Sequence, residues 1–343
     1  MNDLRLAVVG LNFGIKHAQN ILSDSVDGRL VAVCDLDPSY RDFAEAAGVS
    51  FYQDYRQLLE KEKIDGAVIA VPPHKHSEIG VEFALRGVHL FVEKPITSTL
   101  QEADELIDAA CGNGLCLLVG HMQRFDPNVE RAKEMIQAGE LGGIVGFQMT
   151  SAMVKSPSYF RQSWKHSRAT AGGPFVSNGV HDVDRLRYLC GDVACVSGFM
   201  SNAYRGYEVE NSAAVSFEMK NGAVGTYLLT DCGQTFFEYT DMYYGPEVSI
   251  AFNCSSMAST RHKHLFEKVS WKPVEKGHYE RRKEIELIES PVVDCHLAEM
   301  QHFCRVIRDG EEPRTSGEDA KESLRLLLAV LEAGVQRKTV HLE

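Results

Sequence analysis

The spacing of apolar residues changes several times along the chain, and each change predicts an element. Leu4 to Val9 is a short, largely apolar run closed by Gly10, the pattern of a strand buried on both faces. Ile15, Ala18, Ile21 and Leu22 recur at the spacing of one helix face, and Leu30 to Asp35 reads as a second strand with Asp35 at its carboxyl end. The alternation continues with a helix from Tyr40 to Ala47, a short strand at Phe51-Tyr52 and a short helix from Tyr55 to Leu59. A buried strand from Gly66 to Val71, a helix from Ser77 to Arg86 and a strand from His89 to Val92 follow. Asp37 before Pro38 is a helix cap, and Thr99 with Glu102 is a capping box for a helix running to Cys111. Leu115 to Gly120 is one more strand.

Strands alternating with helices imply right-handed crossovers and a parallel, doubly wound sheet. Such sheets bind ligands outside the carboxyl ends of their strands, so Gly10–Gly14, Asp35, Pro72–His76 and Glu93–Pro95 are expected to converge. After Pro127 the pattern changes. A helix to about Ala138 and the pair Gly142-Gly143 lead into alternating strands at Ile144–Thr150, Val193–Phe199, Ala213–Met219 and Gly225–Thr230. Asn221-Gly222 is a hairpin signal between two of them. Residues 232–290 show no clear strand boundaries, and Ser316 with Asp319 caps a last helix from Ala320 to about Gln336. The expected architecture is an α/β Rossmann domain over 1–123 and an α+β domain with an open, mostly antiparallel sheet over 124–343. The C-terminal helix is able to pack back on the first domain.

Composition narrows the class. A chain of 343 residues with 44% hydrophobic and 24% charged residues is globular and long enough for about two domains. No window approaches a membrane span, and the N-terminus enters its first strand without room for a signal peptide. A net charge of −12 argues against nucleic-acid or anionic-membrane partners. Nine cysteines without a C-x-x-C pair predict neither a disulfide framework nor a zinc ribbon. Cys34 and Cys116 read as small core residues, and the cytoplasm is the expected compartment. His262 and His264 read as an exposed loop pair, because no third ligand stands at a suitable spacing, and no metal is expected.

The chemistry lies in two clusters. Gly10-Leu11-Asn12-Phe13-Gly14 is a glycine turn between strand and helix, where backbone N–H groups approach a pyrophosphate. Asn12 holds the second glycine position of the usual fingerprint and tolerates a left-handed backbone. Asp35 is placed to accept the ribose hydroxyls and to repel a 2′-phosphate, which favours NAD over NADP. Lys94 follows a buried strand directly, and Pro95 biases it toward an extended backbone. Further on, Gly172-Gly173 and Ser177-Asn178-Gly179 precede a helix whose apolar face is Val180, Val183, Leu186 and Leu189. His181 and Asp184 share another face of it, and a histidine is suited to acid–base work on an alcohol.

Taken in order, the Gly10-to-His17 turn, Asp35, Pro72 with His76, Glu93-Lys94-Pro95, Arg124-Phe125 and Gly172-Gly173…Gly179-x-His181-x-x-Asp184 resemble the Gfo/Idh/MocA oxidoreductases. The resemblance runs through the closing Glu318-Asp-Ala helix and the strand-like Val340-His-Leu. It implies NAD held by Gly10, Asn12, Phe13, Gly14, Asp35, Val71, Pro72, His76, Glu93, Lys94 and Trp164. It also implies a sugar, cyclitol or sugar derivative contacted by Lys94, Ser177, Asn178, His181 and Asp184. Lys94 would hydrogen-bond the reacting oxygen and His181 would take the hydroxyl proton as hydride leaves. The open sheet implies a homodimer or homotetramer. Two departures stand out: Ser177 replaces the family's aspartate, and Asn12 replaces a glycine. Ser177 leaves open a second reading, a catalytically silent dinucleotide-dependent binding or regulatory protein. On the residues alone, Arg124 reads as a helix-entry or domain-interface residue and His17 as a packing or capping one.

Overall fold

The computed structural model describes residues 3–342 apart from 24, 171, 234–238, 253–264, 271, 275–277, 281–285, 290 and 292. His262 and His264 lie outside the described residues, as do parts of 232–290. The chain divides into two compact units, Met1–Met122 with Asp294–Leu324, and Gln123–Val293 with Arg325–Glu343.

The first unit is built on six parallel strands: β1 (Leu4–Val9), β2 (Gly28–Cys34), β3 (Ser50–Tyr52), β4 (Gly66–Ile69), β5 (His89–Val92) and β6 (Leu117–Val119). Their order is β3-β2-β1-β4-β5-β6, so the direction of winding reverses between β1 and β4. That crevice is where such a sheet takes a ligand. The intervening helices are α1 (Leu11–Ile21), α2 (Arg41–Ala47), α3 (Tyr55–Lys61), α4 (His76–Ala84) and α5 (Leu100–Gly112). β4 and the Leu6–Val9 part of β1 are buried on both faces because helices cover the sheet on each side. Asp37 accepts from Ser39 N at 2.9 Å, and α5 carries the full Thr99–Glu102 capping box.

The unit also contains α8 (Cys295–Asp309), a helix absent from the strand–helix alternation read along the sequence. Its signal was present. Asp294 caps it through His296 N and Leu297 N, and Leu297, Met300, Cys304 and Ile307 recur at helical spacing. Met300, Phe303 and Cys304 join the core of the parallel sheet.

In the second unit, α6 (Pro127–Gln137) and α7 (Val180–Cys190) accompany a sheet of nine strands among the described residues. Its order begins at Glu286–Glu289, Leu265–Ser270, β12 (Val248–Phe252) and β11 (Tyr239–Tyr244). It continues through β7 (Gly146–Ala152), β10 (Val224–Thr230), β9 (Ser212–Met219) and β8 (Val193–Ser201), and ends at Val340–His341. All neighbours are antiparallel except β7 and β10. The Asn221-Gly222 hairpin joins β9 to β10. Burial alternates strictly along β9, as in a sheet with one covered and one open face. The last helix, α9 (Gly317–Gln336), is divided between the units after Leu324, and near its start Ser316 accepts from Asp319 N. Among the described residues no helix is long and apolar enough to cross a membrane.

Candidate functional site

In the first unit the turn after β1 depends on one glycine. Gly10 has φ +88°, and a Cβ there would lie 2.5 Å from the Ala70 carbonyl oxygen and 3.0 Å from Val71 Cγ1. This closeness of β1 and β4 leaves backbone, not side chain, at the winding reversal. The N-terminus of α1 opens there with no acidic residue in its first turn, a fit for a pyrophosphate. Asn12 and Phe13 are exposed on that turn, and Asn12 is helical, so its tolerance of a left-handed backbone is not called on. Gly14 packs under Val8 and Ala70. Asp35 follows β2 directly, where Oδ2 accepts from Leu11 N at 2.6 Å and Oδ1 from Asp37 N at 2.9 Å. A half-buried carboxylate beside a helix N-terminus suits the ribose of NAD and disfavours an added phosphate.

A second arm of the same unit follows β5. Glu93 is buried, and His17 Nε2 donates to its Oε1 at 2.7 Å while the Lys94 backbone N–H donates to Oε2 at 3.2 Å. Burial pushes the Glu93 carboxyl up, but the hydrogen bond from His17 and the pull of His17, Lys94 and His296 outweigh it and hold it at about 2. His17, expected as packing, is fully buried and fixes Glu93 as well. His76 is also fully buried, with Nε2 2.8 Å from the Val71 carbonyl and Nδ1 3.0 Å from that of Pro95. Burial pushes its titration down against those carbonyls, and the neutral ring donates to one of them at a time. Through His76 the Val71-Pro72 loop is tied to Lys94-Pro95. Gly10, Gly14, Asp35, Val71, Pro72, His76, Glu93 and half-buried Lys94 therefore cluster at the strand ends of this unit.

The second unit holds the remaining predicted residues. Gly172 packs so closely against the Trp164 carbonyl that a Cβ would collide with it, and Gly173 has φ +112°. A single π-helical turn, Phe175–Gly179, then leads into α7; such turns recur at functional sites. Ser177 and Asn178 lie on it, with Asn178 Nδ2 donating to Ser177 Oγ at 3.0 Å and the Ser177 hydroxyl bonded to Tyr159. His181 follows in the first turn of α7 and is 8% exposed. Asp184 is buried in a two-point ion pair with Arg124, at 2.9 and 2.6 Å, so Arg124 is a residue that fixes α7 from within this unit. Trp164 sits half-buried on a short 3-10 turn, its carbonyl accepting from Thr170 Oγ1 at 2.9 Å. Beside it Lys165 lies over the Tyr159 ring at 3.8 Å, and burial with Lys155 pushes its ammonium down.

Sequence reasoning missed the group that anchors α7. Arg185 is fully buried, pairing with Asp182 at 2.9 Å and with both oxygens of Asp241 on β11 at 2.5 and 2.9 Å, and bonding Gln123. Asp182 also accepts from Ser151 on β7 at 2.8 Å and from Tyr227 on β10. Burial pushes Asp182 up, while Arg185, Tyr227 and Ser151 oppose it. His181 thus sits on a helix bolted to three strands.

A winding reversal with a glycine turn and a ribose-side acid defines an NAD-binding Rossmann unit, here joined in one chain to an α+β unit. The family model described as "Oxidoreductase family, NAD-binding Rossmann fold" matches residues 4–121, and "GFO/IDH/MocA C-terminal domain" matches 129–236. The chain belongs to the Gfo/Idh/MocA family of NAD-dependent oxidoreductases. Relatives include scyllo-inositol 2-dehydrogenase (NAD(+)) of Bacillus subtilis, 28% identical over 96% of this chain and 93% of that protein. Myo-inositol 2-dehydrogenase of Thermotoga maritima is 26% identical over 99% of each. The solved structure of levoglucosan dehydrogenase in complex with NADH, 21% identical, superposes with a TM-score of 0.86 over 100% of both chains and shares the fold.

Proposed function

We propose that this protein transfers hydride between NAD and a secondary alcohol or ketone of a sugar, cyclitol or sugar derivative. The observation that carries the reading is the strand-end cluster in which Glu93, bonded to His17, holds the Lys94 backbone beside the Gly10–Asp35 turn. The names of the inositol and levoglucosan relatives support the substrate class. Gly10, Asn12, Phe13, Gly14, Asp35, Val71, Pro72, His76, Glu93, Lys94 and Trp164 would hold NAD, which supplies the hydride acceptor. Lys94 hydrogen-bonds the reacting oxygen, stabilising negative charge as it develops, and His181 takes or returns the hydroxyl proton. Ser177 and Asn178 bind neighbouring hydroxyls, and Asp184 acts through Arg124 to keep α7 in place.

A second reading keeps one observation in its favour. The Asp182 and Asp184 carboxylates are committed to Arg185 and Arg124, and Ser177 cannot stabilise an imidazolium as a carboxylate would. A silent, dinucleotide-dependent binding protein would look the same. The open sheet face exposes Phe199, Val224, Leu228, Met242 and Tyr244, which supports a homodimer or homotetramer.

The test is hydride transfer from labelled NADH to the ketones of inositols, hexoses and anhydrosugars, and isotope exchange into the alcohols themselves when NAD is supplied together with labelled NADH. Exchange with one of them, reduced about 10²- to 10⁴-fold by Lys94→Ala and by His181→Ala, supports the roles. Exchange unaffected by either substitution overturns them. NADH binding without exchange across the panel favours the silent protein.

A further inference from the structure

Glu299 lies on α8, outside every motif that marks the site. It is fully buried, and neither carboxyl oxygen has a hydrogen-bond partner among the described residues. Together with His17 and Glu93 it forms a cluster in which one ligand atom from each lies within 4.8 Å of the others. The charged and titratable groups facing this cluster are Glu93 and Lys94 after β5, His17 and Lys16 on α1, and Asp294 and His296 at the start of α8. Lys16 is already paired with Asp294 at 2.6 Å.

Two ionised carboxylates in one dry pocket repel strongly, and the pair relieves this by keeping a proton on one member. Glu93 is the member stabilised as an anion, because His17 and the Lys94 N–H occupy its two oxygens. A metal ion bridging the three groups would have to displace the proton that His17 shares with Glu93 at 2.7 Å. A proton on Glu299 leaves that bond intact.

We propose that Glu299 is a positioning residue of the Lys94 turn: it stays uncharged at neutral pH, so that Glu93 is the one carboxylate of the pair and keeps both oxygens committed to His17 and the Lys94 backbone. The consequence for catalysis rests on the role proposed for Lys94; the protonation does not. Burial and the neighbouring Glu93 push the Glu299 carboxyl well above the ordinary range, against the pull of Lys94 and with a further push from Asp294. A carboxyl raised in this way contributes stability that is complete below its unfolded value, about 4.3, and is lost as pH rises through the folded one. Glutamine at 299 carries no such dependence.

The deciding measurement is infrared difference spectroscopy of the full chain in D2O at neutral pH. The expected result is a protonated-carboxyl C=O band in the unchanged protein that Glu299→Gln removes, with a Tm advantage for Glu299→Gln that widens as pH rises. Should Glu299→Gln not fold, Glu299→Met supplies the same difference spectrum. A band that does not change, a Tm gap that is flat with pH, or a stoichiometric metal lost with the substitution overturns the proposal. With a substrate in hand, the alkaline limb of kcat/KM moves to lower pH in Glu299→Gln, because no second carboxylate then forms to stabilise the Lys94 ammonium. An unmoved limb alongside the expected band overturns the link to Lys94 and leaves the protonation standing.

Discussion

The two units hold their functional side chains by different means. In the parallel unit, Asp35 and Glu93-Lys94 each follow a strand within one or two residues, and the sheet's winding brings those ends together. In the antiparallel unit, His181 rides on α7, and α7 is held by contacts that link Arg185 to Asp241 and Asp182 to Ser151 and Tyr227. The first arrangement places chemistry by chain connectivity. The second places it by a buried network of ion pairs and hydrogen bonds between α7 and three strands. Their carboxyls differ as well: Asp182 and Asp241 face an arginine, whereas Glu299 faces another carboxylate. A buried carboxyl with a counter-ion is held as an anion, and one that faces another carboxylate is held in its protonated form.

Three substitutions grade this contrast. Arg185→Met should have the largest effect, because it strands Asp182 and Asp241 without their cation; a loss of about 3–5 kcal/mol in denaturant unfolding is expected. A loss under about 1 kcal/mol would mean that the network does not anchor α7. Asp35→Asn comes next. It removes a charged acceptor of the ribose, so NADH affinity should fall about tenfold in a fluorescence titration while NADPH affinity holds or rises. Equal weakening of both cofactors would remove Asp35 from the ribose. Thr99→Ala is the smallest, about 1 kcal/mol of stability, since it deletes a helix cap that acts only locally. A larger cost would show that α5 depends on this cap beyond its own first turn.

The same order describes how much could be read in advance. The Thr99–Glu102 box, the Asp37 cap, the Gly10 turn and the Asn221-Gly222 hairpin are written in adjacent residues, and each stands where its pattern predicts. The glycines before them mark Ser177 and His181 as candidates in the sequence, whereas nothing in the pattern marks the π-helical turn that carries Ser177. Missing α8 also removed Glu299 from view, although its apolar spacing and Asp294 cap were available in the chain.

Local order alone determined the alternation of strands and helices, the parallel class of the first sheet and the residues at its strand ends. The physical reason is that period, caps and glycine conformation act within a few residues. Tertiary structure decided the rest: that Arg124 closes on Asp184, that Arg185 reaches Asp241, and that Glu299 arrives beside Glu93. Those partners come from elements far apart in the chain, and burial sets the charge each one can carry.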